Sequence, residues 1–254
     1  NVRADNHLLR HQFRPPCPVD HCGDYSASIQ PPTGIAADPA LTSHGLKQAR
    51  ETGKHLTTLD PAIEVVYSSP YYRCLQTLVP YIQLQQDAEK SGRLSDRSVD
   101  TTKIRPESGF REWVGSAPFD HPQPADPEDL KNLVPSYDET YSPAVKPAIK
   151  GETYAELQDR VAAALAAVIA QCDAEGRKTM VLCTHAAVVI VLGRILTGNI
   201  PDNIETEDFR AFTCGLSVYK RDKTTARPSA GEALSGGRLG RGWFIAQFET
   251  MALC

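Results

Sequence analysis

Two segments of this chain pass from a short apolar run straight into a helical repeat, and that order restricts the fold more than any other feature. In "AIEVVYSSPYYRCLQTL" residues 63–67 read as a buried strand, stopped by Ser68, Ser69 and Pro70, and a helix begins at once. In "TMVLCTHAAVVIVLGRILTG" residues 179–185 read as a strand, and the stretch after them as a helix that ends at Gly198. Strands that are apolar throughout and feed helices belong to a mainly parallel sheet covered by helices on both faces. The expected class is therefore α/β.

The remaining elements fit that rhythm with two interruptions. "LTSHGLKQARETGKHL" puts Leu46, Ala49, Gly53 and Leu56 on one helical face, with Thr42 as N-cap. "TYAELQDRVAAALAAVIAQCDA" opens with a capping box, Thr153 to Glu156, and carries Leu157, Val161, Leu165 and Val168 at helical spacing. Pro80 is expected to kink or end the helix that starts near Tyr71. Prolines at 118, 122, 124, 127, 135, 143 and 147 crowd residues 114–150 too densely for continuous helices, which predicts an insertion or lid over the core. "FTCGLSVYK" and "GWFIAQFE" read as a late antiparallel strand pair joined by the Gly-, Ser- and Arg-rich residues 221–241. With no internal repeat and no compositional break, residues 1–254 are expected to form one domain.

Composition removes several functional classes. A formal net charge of −4 gives no general attraction for nucleic acid or acidic membranes, and Arg221, Lys223, Arg227, Arg238 and Arg241 read as a solvated loop face, so direct nucleic-acid binding is not expected. No run is long and apolar enough to span a bilayer, and "NVRADNHLLRH" lacks the apolar centre of a signal peptide. The cysteines at 17, 22, 74, 172, 183, 214 and 254 are odd in number and scattered, which favours reduced thiols in cytoplasm or nucleus. "CPVDHC" has metal-binding residue types, but no second ligand pair accompanies it, and Pro15, Pro16 and Pro18 favour a surface loop. Neither a metal nor another cofactor is expected.

The stretch "LLRHQFR" then raises a chemical question. Arg10 and Arg14 flank His11, and two guanidinium groups beside an imidazole oppose its protonation unless an anion is bound there. His11 follows a candidate first strand, weakened by Asp5 and Asn6, and His185 ends another; in open α/β sheets ligands bind at the carboxyl ends of strands. Arg73 starts a helix after a strand and so comes to the same edge. Three arginines and two histidines describe a pocket for a phosphoryl dianion, because the planar guanidinium bonds two oxygens at once and stays charged. The chain has neither a GxxxxGK[ST] loop nor clustered Asp ligands for magnesium, so the phosphate has to be held without nucleotide or metal machinery.

"RHQFR", "LTSHGLKQA", "SSPYYRCLQT", "GFREW" and "CTHAA", in that order, resemble the histidine phosphatase superfamily, in the branch that also contains phosphoglycerate mutases. "PPTGIAADPALTSHG", "KGETYAELQDRV" and "LSGGRLGRGWF" add a resemblance to the histidine phosphatase domain of the fungal TFIIIC 55-kilodalton tau subunit and its stand-alone paralogues. The resemblance implies a phosphoglycerate mutase-like fold and a phosphohistidine intermediate on His11. It further implies that Arg10, Arg14, Arg73 and His185 hold the phosphoryl oxygens, and that Glu112 donates a proton to the leaving oxygen. Glu107 competes for the last role; Glu112 is preferred for its position before Trp113, whose ring would help keep a carboxyl protonated. The Arg10 and Arg14 charges keep His11 neutral and nucleophilic.

One departure bears on activity. Gln12 stands where the family usually has glycine, so it either crowds the phosphate cradle or adds a donor to it, and activity is then reduced or redirected. Three functions follow. The first is a metal-independent phosphomonoesterase acting on a phosphorylated small molecule or phosphopeptide. The second is a weakly active or inactive interaction module with protein partners in a TFIIIC-like assembly, and the third is a phosphomutase.

Overall fold

The computed structural model describes residues 19–20, 22–92, 100–209, 211–221 and 242–248. Arg10, His11, Gln12, Arg14, Cys17 and His21 lie outside the described residues, as does the candidate first strand. In chain order the elements are α1 (Ser43–Leu56), β1 (Val65–Ser68), α2 (Tyr72–Lys90), β2 (Asp100–Pro106), a 3₁₀ turn (Ser108–Phe110), α3 (Pro127–Leu133), α4 (Tyr154–Ala174), β3 (Thr179–Thr184), α5 (Ala186–Thr197), β4 (Gly215–Arg221) and β5 (Gly242–Phe248). The strands form one sheet in the order β2-β1-β3-β5-β4.

β1 pairs in parallel with both β2 and β3, and β3 pairs in parallel with β5. Among the described strands only β4, paired antiparallel to β5 with Val218 opposite Ile245, breaks the common direction. This is the mainly parallel α/β sheet with a late antiparallel pair that the strand-to-helix junctions imply.

Alternation along the central strands explains why both faces are covered. Val65 and Tyr67 of β1, with Met180 and Leu182 of β3, pack against Leu157, Val161 and Leu165 of α4 and Val188 and Leu192 of α5. Val66, Val181 and Cys183 point the other way, onto Leu75, Leu78 and Ile82 of α2 and Leu56 of α1. Every residue of β1 and β3 is buried, so neither strand can show the polar alternation of a sheet with one wet face. Truncating one of these aliphatic side chains to alanine would cost about 2–5 kcal/mol.

The structure sharpens two of the expectations. Pro80 does not end its helix: α2 runs from Tyr72 through Pro80 to Lys90. Proline removes one backbone donor, but α1 is packed directly on this turn. A Cβ built on Gly53 would come within 2.9 Å of the Tyr81 nitrogen and 3.2 Å of the Pro80 ring, so the missing side chain permits a helix contact that supports α2 across the defect. The proline-rich residues 114–150 also contain a helix. α3 starts with Pro127 in its first turn, where proline's fixed φ favours helix entry and its missing N–H costs nothing. Leu130, Val134 and Tyr137 then bury their side chains in the α2 face of the core, and Tyr137 forms a parallel bridge with Ile104.

The helix caps follow the sequence closely. Thr42 accepts from the Gly45 N–H, Thr153 and Glu156 form the reciprocal capping box, and Gly198 closes α5 in the left-handed region at φ 70°. Among the described residues no helix is long and apolar enough to cross a membrane.

Candidate active site

Three adjacent parallel strands deliver three chemistry-bearing side chains to one edge. β1 ends at Ser68, and the chain turns through Ser69, Pro70 and Tyr71 into α2, which places Arg73 in the first helical turn. β3 ends at Thr184, so His185 sits between strand and helix as the N-cap residue of α5. β2 ends at Pro106, and the 3₁₀ turn that follows brings the chain round to Glu112. The ladders continue past the strand ends, with Ser69 N–H donating to Cys183 O at 2.8 Å and Glu107 N–H to Ser68 O at 2.9 Å, so the three exits are locked in register.

The side chains converge. Arg73 Nη2 lies 3.2 Å from His185 Nδ1 and 3.5 Å from Glu112 Oε2, and His185 Nδ1 lies 3.3 Å from the same carboxylate oxygen. Nδ1 can accept from Arg73 when the ring is neutral, or donate to Glu112 when it is protonated. The other ring nitrogen is held by Ser69 Oγ at 2.8 Å. Burial pushes the His185 imidazole down, but the Cys74 sulfur and the Glu112 carboxylate outweigh it and leave the pKa raised.

Arg73 is buried and held from behind. Its Nη1 donates to Asp38 Oδ1 and to Ala37 O, each at 3.2 Å, and its guanidinium lies 4.6 Å from the centre of the Tyr71 ring. Asp38 also accepts from the Tyr72 N–H at 2.7 Å, which ties the carboxylate to the start of α2. Burial pushes the Asp38 carboxyl up, and the opposing pull of Arg73 and the Tyr72 N–H does not fully offset it. The buried Cys74 sulfur lies beside His185, 3.7 Å from Nε2. Burial pushes that thiol up, yet Cys183, His185 and Arg73 together hold it well below the ordinary range.

The two competing glutamates separate clearly. Glu107 is fully buried and saturated: Oε1 accepts from the Gly109 and Val145 N–H groups and Oε2 from Tyr141 OH and the Ala144 N–H. It fastens residues 141–145 to the 3₁₀ turn and faces none of the site cations through these bonds. Glu112 faces Arg73 and His185. Trp113 is itself fixed, its indole Nε1 donating to Glu152 O and its ring packing edge-on against Tyr154, and the neighbouring Glu112 carboxylate lies beside Arg73 and His185.

The loop that carries Glu112 is held by its carbonyls. Arg160 Nη1 donates to Gly109 O at 2.7 Å and to Arg111 O at 3.1 Å, and Thr184 Oγ1 donates to Phe110 O at 2.7 Å. Arg160 is in turn bonded to the Glu152 carboxylate, its Nε lying 2.9 Å from Oε2.

Of the residues expected to form the site, the structure brings Arg73, Glu112 and His185 together; Arg10, His11 and Arg14 lie outside the described residues. Asp38, Ser69 and Cys74, which support the cluster, were not singled out from sequence as site residues. Asp38 falls in "PPTGIAADPALTSHG" and Ser69 and Cys74 in "SSPYYRCLQT", so the family-like words carried the signal. Among the described residues no group of three or more His, Cys, Asp or Glu side chains is placed to hold a metal ion. His121 is tied into the fold, with Nε2 at 3.0 Å from Gly115 O and Nδ1 at 2.8 Å from Tyr25 OH.

Comparison with known proteins decides the family. The model of the histidine phosphatase superfamily (branch 1) matches residues 26–230. The chain belongs to the histidine phosphatase superfamily. Within it, the transcription factor tau 55 kDa subunit of Saccharomyces cerevisiae is 30% identical over 199 residues, 75% of this chain and 42% of that protein. Ecdysteroid-phosphate phosphatase of Drosophila melanogaster is 29% identical over 173 residues, 67% of this chain and 21% of that protein. The crystal structure of the ecdysone phosphate phosphatase from Bombix mori in complex with tungstate superposes with a TM-score of 0.52 at 22% identity, covering 68% of this chain and 62% of that one, which shows a shared fold. The chain spans less than half the length of the curated relatives it matches.

Proposed function

We propose that this histidine phosphatase is a metal-independent phosphomonoester hydrolase that works through a phosphohistidine on His11. The observation that carries the reading is the meeting of Arg73, His185 and Glu112, from three different strand exits, within hydrogen-bonding or ion-pair distance of one another. A guanidinium and an imidazole that share a carboxylate in the free protein are suited to share a phosphoryl group in the complex.

In the proposed reaction, neutral His11 attacks phosphorus in line while Arg10, Arg14, Arg73 and His185 hold the equatorial oxygens. The N–P bond forms as the ester P–O bond breaks, and Glu112 gives its proton to the leaving oxygen. Arrival of the phosphoryl dianion draws Arg73 and His185 away from Glu112 and favours a proton on that carboxyl. Water then attacks phosphorus as the N–P bond breaks, Glu112 takes a proton from that water, and phosphate and neutral His11 are released.

A second reading rests on the 30% identity to a transcription factor subunit, together with Gln12: the chain serves as an interaction module in a nuclear assembly, with little turnover. The substrate in the leading reading is a phosphorylated small molecule or phosphopeptide, met in cytoplasm or nucleus, and residues 114–150 act as the lid that shapes its pocket.

Hydrolysis of p-nitrophenyl phosphate tests the choice. The phosphatase reading expects release that vanadate blocks, EDTA leaves unchanged and His11→Ala abolishes. Absence of release across a broad pH range and a panel of phosphate esters would favour the module, and transfer to a second hydroxyl in place of water would indicate a mutase.

A further inference from the structure

Five arginines among the described residues are buried, and four of them have a carboxylate. Arg73 pairs with Asp38 and Glu112, Arg105 with Glu175, Arg160 with Glu152 and Arg194 with Asp208. Arg111, 8% exposed, pairs with no carboxylate among the described residues. Its Nη1 donates to the neutral Gln123 Oε1 at 2.6 Å, its Nε has no hydrogen-bond partner among the described residues, and its guanidinium lies 5.6 Å from the centre of the Tyr71 ring. Taking a guanidinium out of water without an anion is more unfavourable than a ring face and one neutral amide offset. Such a site fits an anion supplied from outside the protein.

Its position says which anion. The Tyr71 ring that Arg111 faces also carries Arg73, at 4.6 Å, and meets the His185 ring edge-on at 5.5 Å between centroids. Tyr71 is fixed by its hydroxyl on Pro122 O, and Gln123 by its Nε2 on His121 O, so the wall around Arg111 is built and oriented without a ligand. In sequence Arg111 directly precedes Glu112, and its backbone carbonyl is clamped by Arg160. A cation is thus held one aromatic ring away from the proposed phosphoryl pocket.

We propose that Arg111 is a specificity residue that receives a second anionic group of the substrate, a carboxylate or another phosphoryl group, when the ester phosphate lies at Arg73 and His185. The proposal rests on the phosphatase reading of the site. It narrows the substrate class to phosphomonoesters that carry another acidic group a few bonds from the phosphate. The planar guanidinium takes a carboxylate through two parallel N–H bonds, which favours an acidic substrate over its neutral analogue of the same shape.

Binding of non-hydrolysable probes tests this without turnover. Calorimetric titration of the whole chain would compare methylphosphonate with phosphonoacetate and 3-phosphonopropionate. At least one of the carboxylated probes should bind about tenfold or more tightly than methylphosphonate, a difference of about 1.4 kcal/mol. In Arg111→Met that preference should fall below about threefold, and Arg111→Lys, which keeps a point charge but no planar fork, should fall between the two. Equal binding of all three probes to the wild-type chain would overturn the assignment, as would a preference that survives in Arg111→Met. If no phosphonate binds, the phosphoryl pocket itself is refuted and the Arg111 assignment falls with it, a result distinguishable from methylphosphonate binding without preference.

Discussion

Two buried charge clusters in this molecule, both built on arginine, are finished to different degrees. In the Arg160 cluster the guanidinium is bonded to Glu152 and to two backbone carbonyls, and all its partners belong to the fold. In the Arg73 cluster one guanidinium nitrogen is shared between His185 and Glu112 at 3.2 and 3.5 Å, long for charge-assisted bonds, and Nε has no partner among the described residues. The first arrangement leaves a ligand nothing to do. The second anchors its two basic side chains on Asp38 and Ser69 and leaves them sharing one carboxylate, Glu112, which is what a site that exchanges a carboxylate for a phosphoryl group requires. Under the proposed function, the saturated Arg160 is structural and the incompletely saturated Arg73 is the one that meets the phosphoryl group.

The contrast can be broken most forcefully at Arg160. Arg160→Met removes one partner of a buried ion pair and strands Glu152 and two loop carbonyls, so a loss of about 3–5 kcal/mol in unfolding free energy is expected in urea titrations. Arg73→Ala should act on turnover instead. A drop of about 10²–10³-fold in kcat/KM for a chromogenic phosphate ester is expected, with a smaller stability loss than Arg160→Met because Asp38 can take up a proton. If Arg73→Ala destabilised more than Arg160→Met and left turnover intact, the distinction between the two clusters would be wrong.

How much of this was readable beforehand depended on what each residue does. The strand-to-helix junctions at Ser68 to Arg73 and Thr184 to Ala186 were legible because an apolar run, a break and a helical period are local signals, and they placed Arg73 and His185 on one sheet edge. The passage of α2 through Pro80 was not, since it depends on Gly53 of another helix coming close. α3 hid behind proline density, although Pro127 marks its start. Glu107 and Glu112 are five residues apart and look alike in sequence; only the arrival of Tyr141, Ala144 and Val145 from a distant segment makes one structural. Asp38 was silent for the same reason, since its value lies in reaching the first turn of α2.

Smaller perturbations sharpen the comparison further. Thr184→Val keeps the shape of β3 but leaves the buried Phe110 carbonyl without its donor, and should cost about 1–3 kcal/mol in stability. Because the same carbonyl belongs to the turn that leads to Glu112, kcat should fall with KM less affected. The smallest effect is one of pH. His185 binds its proton more tightly when folded, so its contribution is fully present below the unfolded value near 6.5 and is lost as pH rises through the higher folded one. Wild-type stability should therefore decline with rising pH above about 6.5, no faster than about 1.4 kcal/mol per pH unit from this group, and the His185→Gln variant should lack that component. A slope unchanged by the substitution would mean that the imidazole is not held protonated by Glu112 and Cys74.

A crystal structure of the chain with vanadate tests the central assignment most directly. It should show vanadium bonded to the His11 imidazole, with its equatorial oxygens about 3 Å from Arg73 and His185 and with Glu112 released from Arg73 to face an apical oxygen. Vanadate bound elsewhere, or an imidazole of His11 that opens onto a different surface from Arg73 and His185, would contradict it.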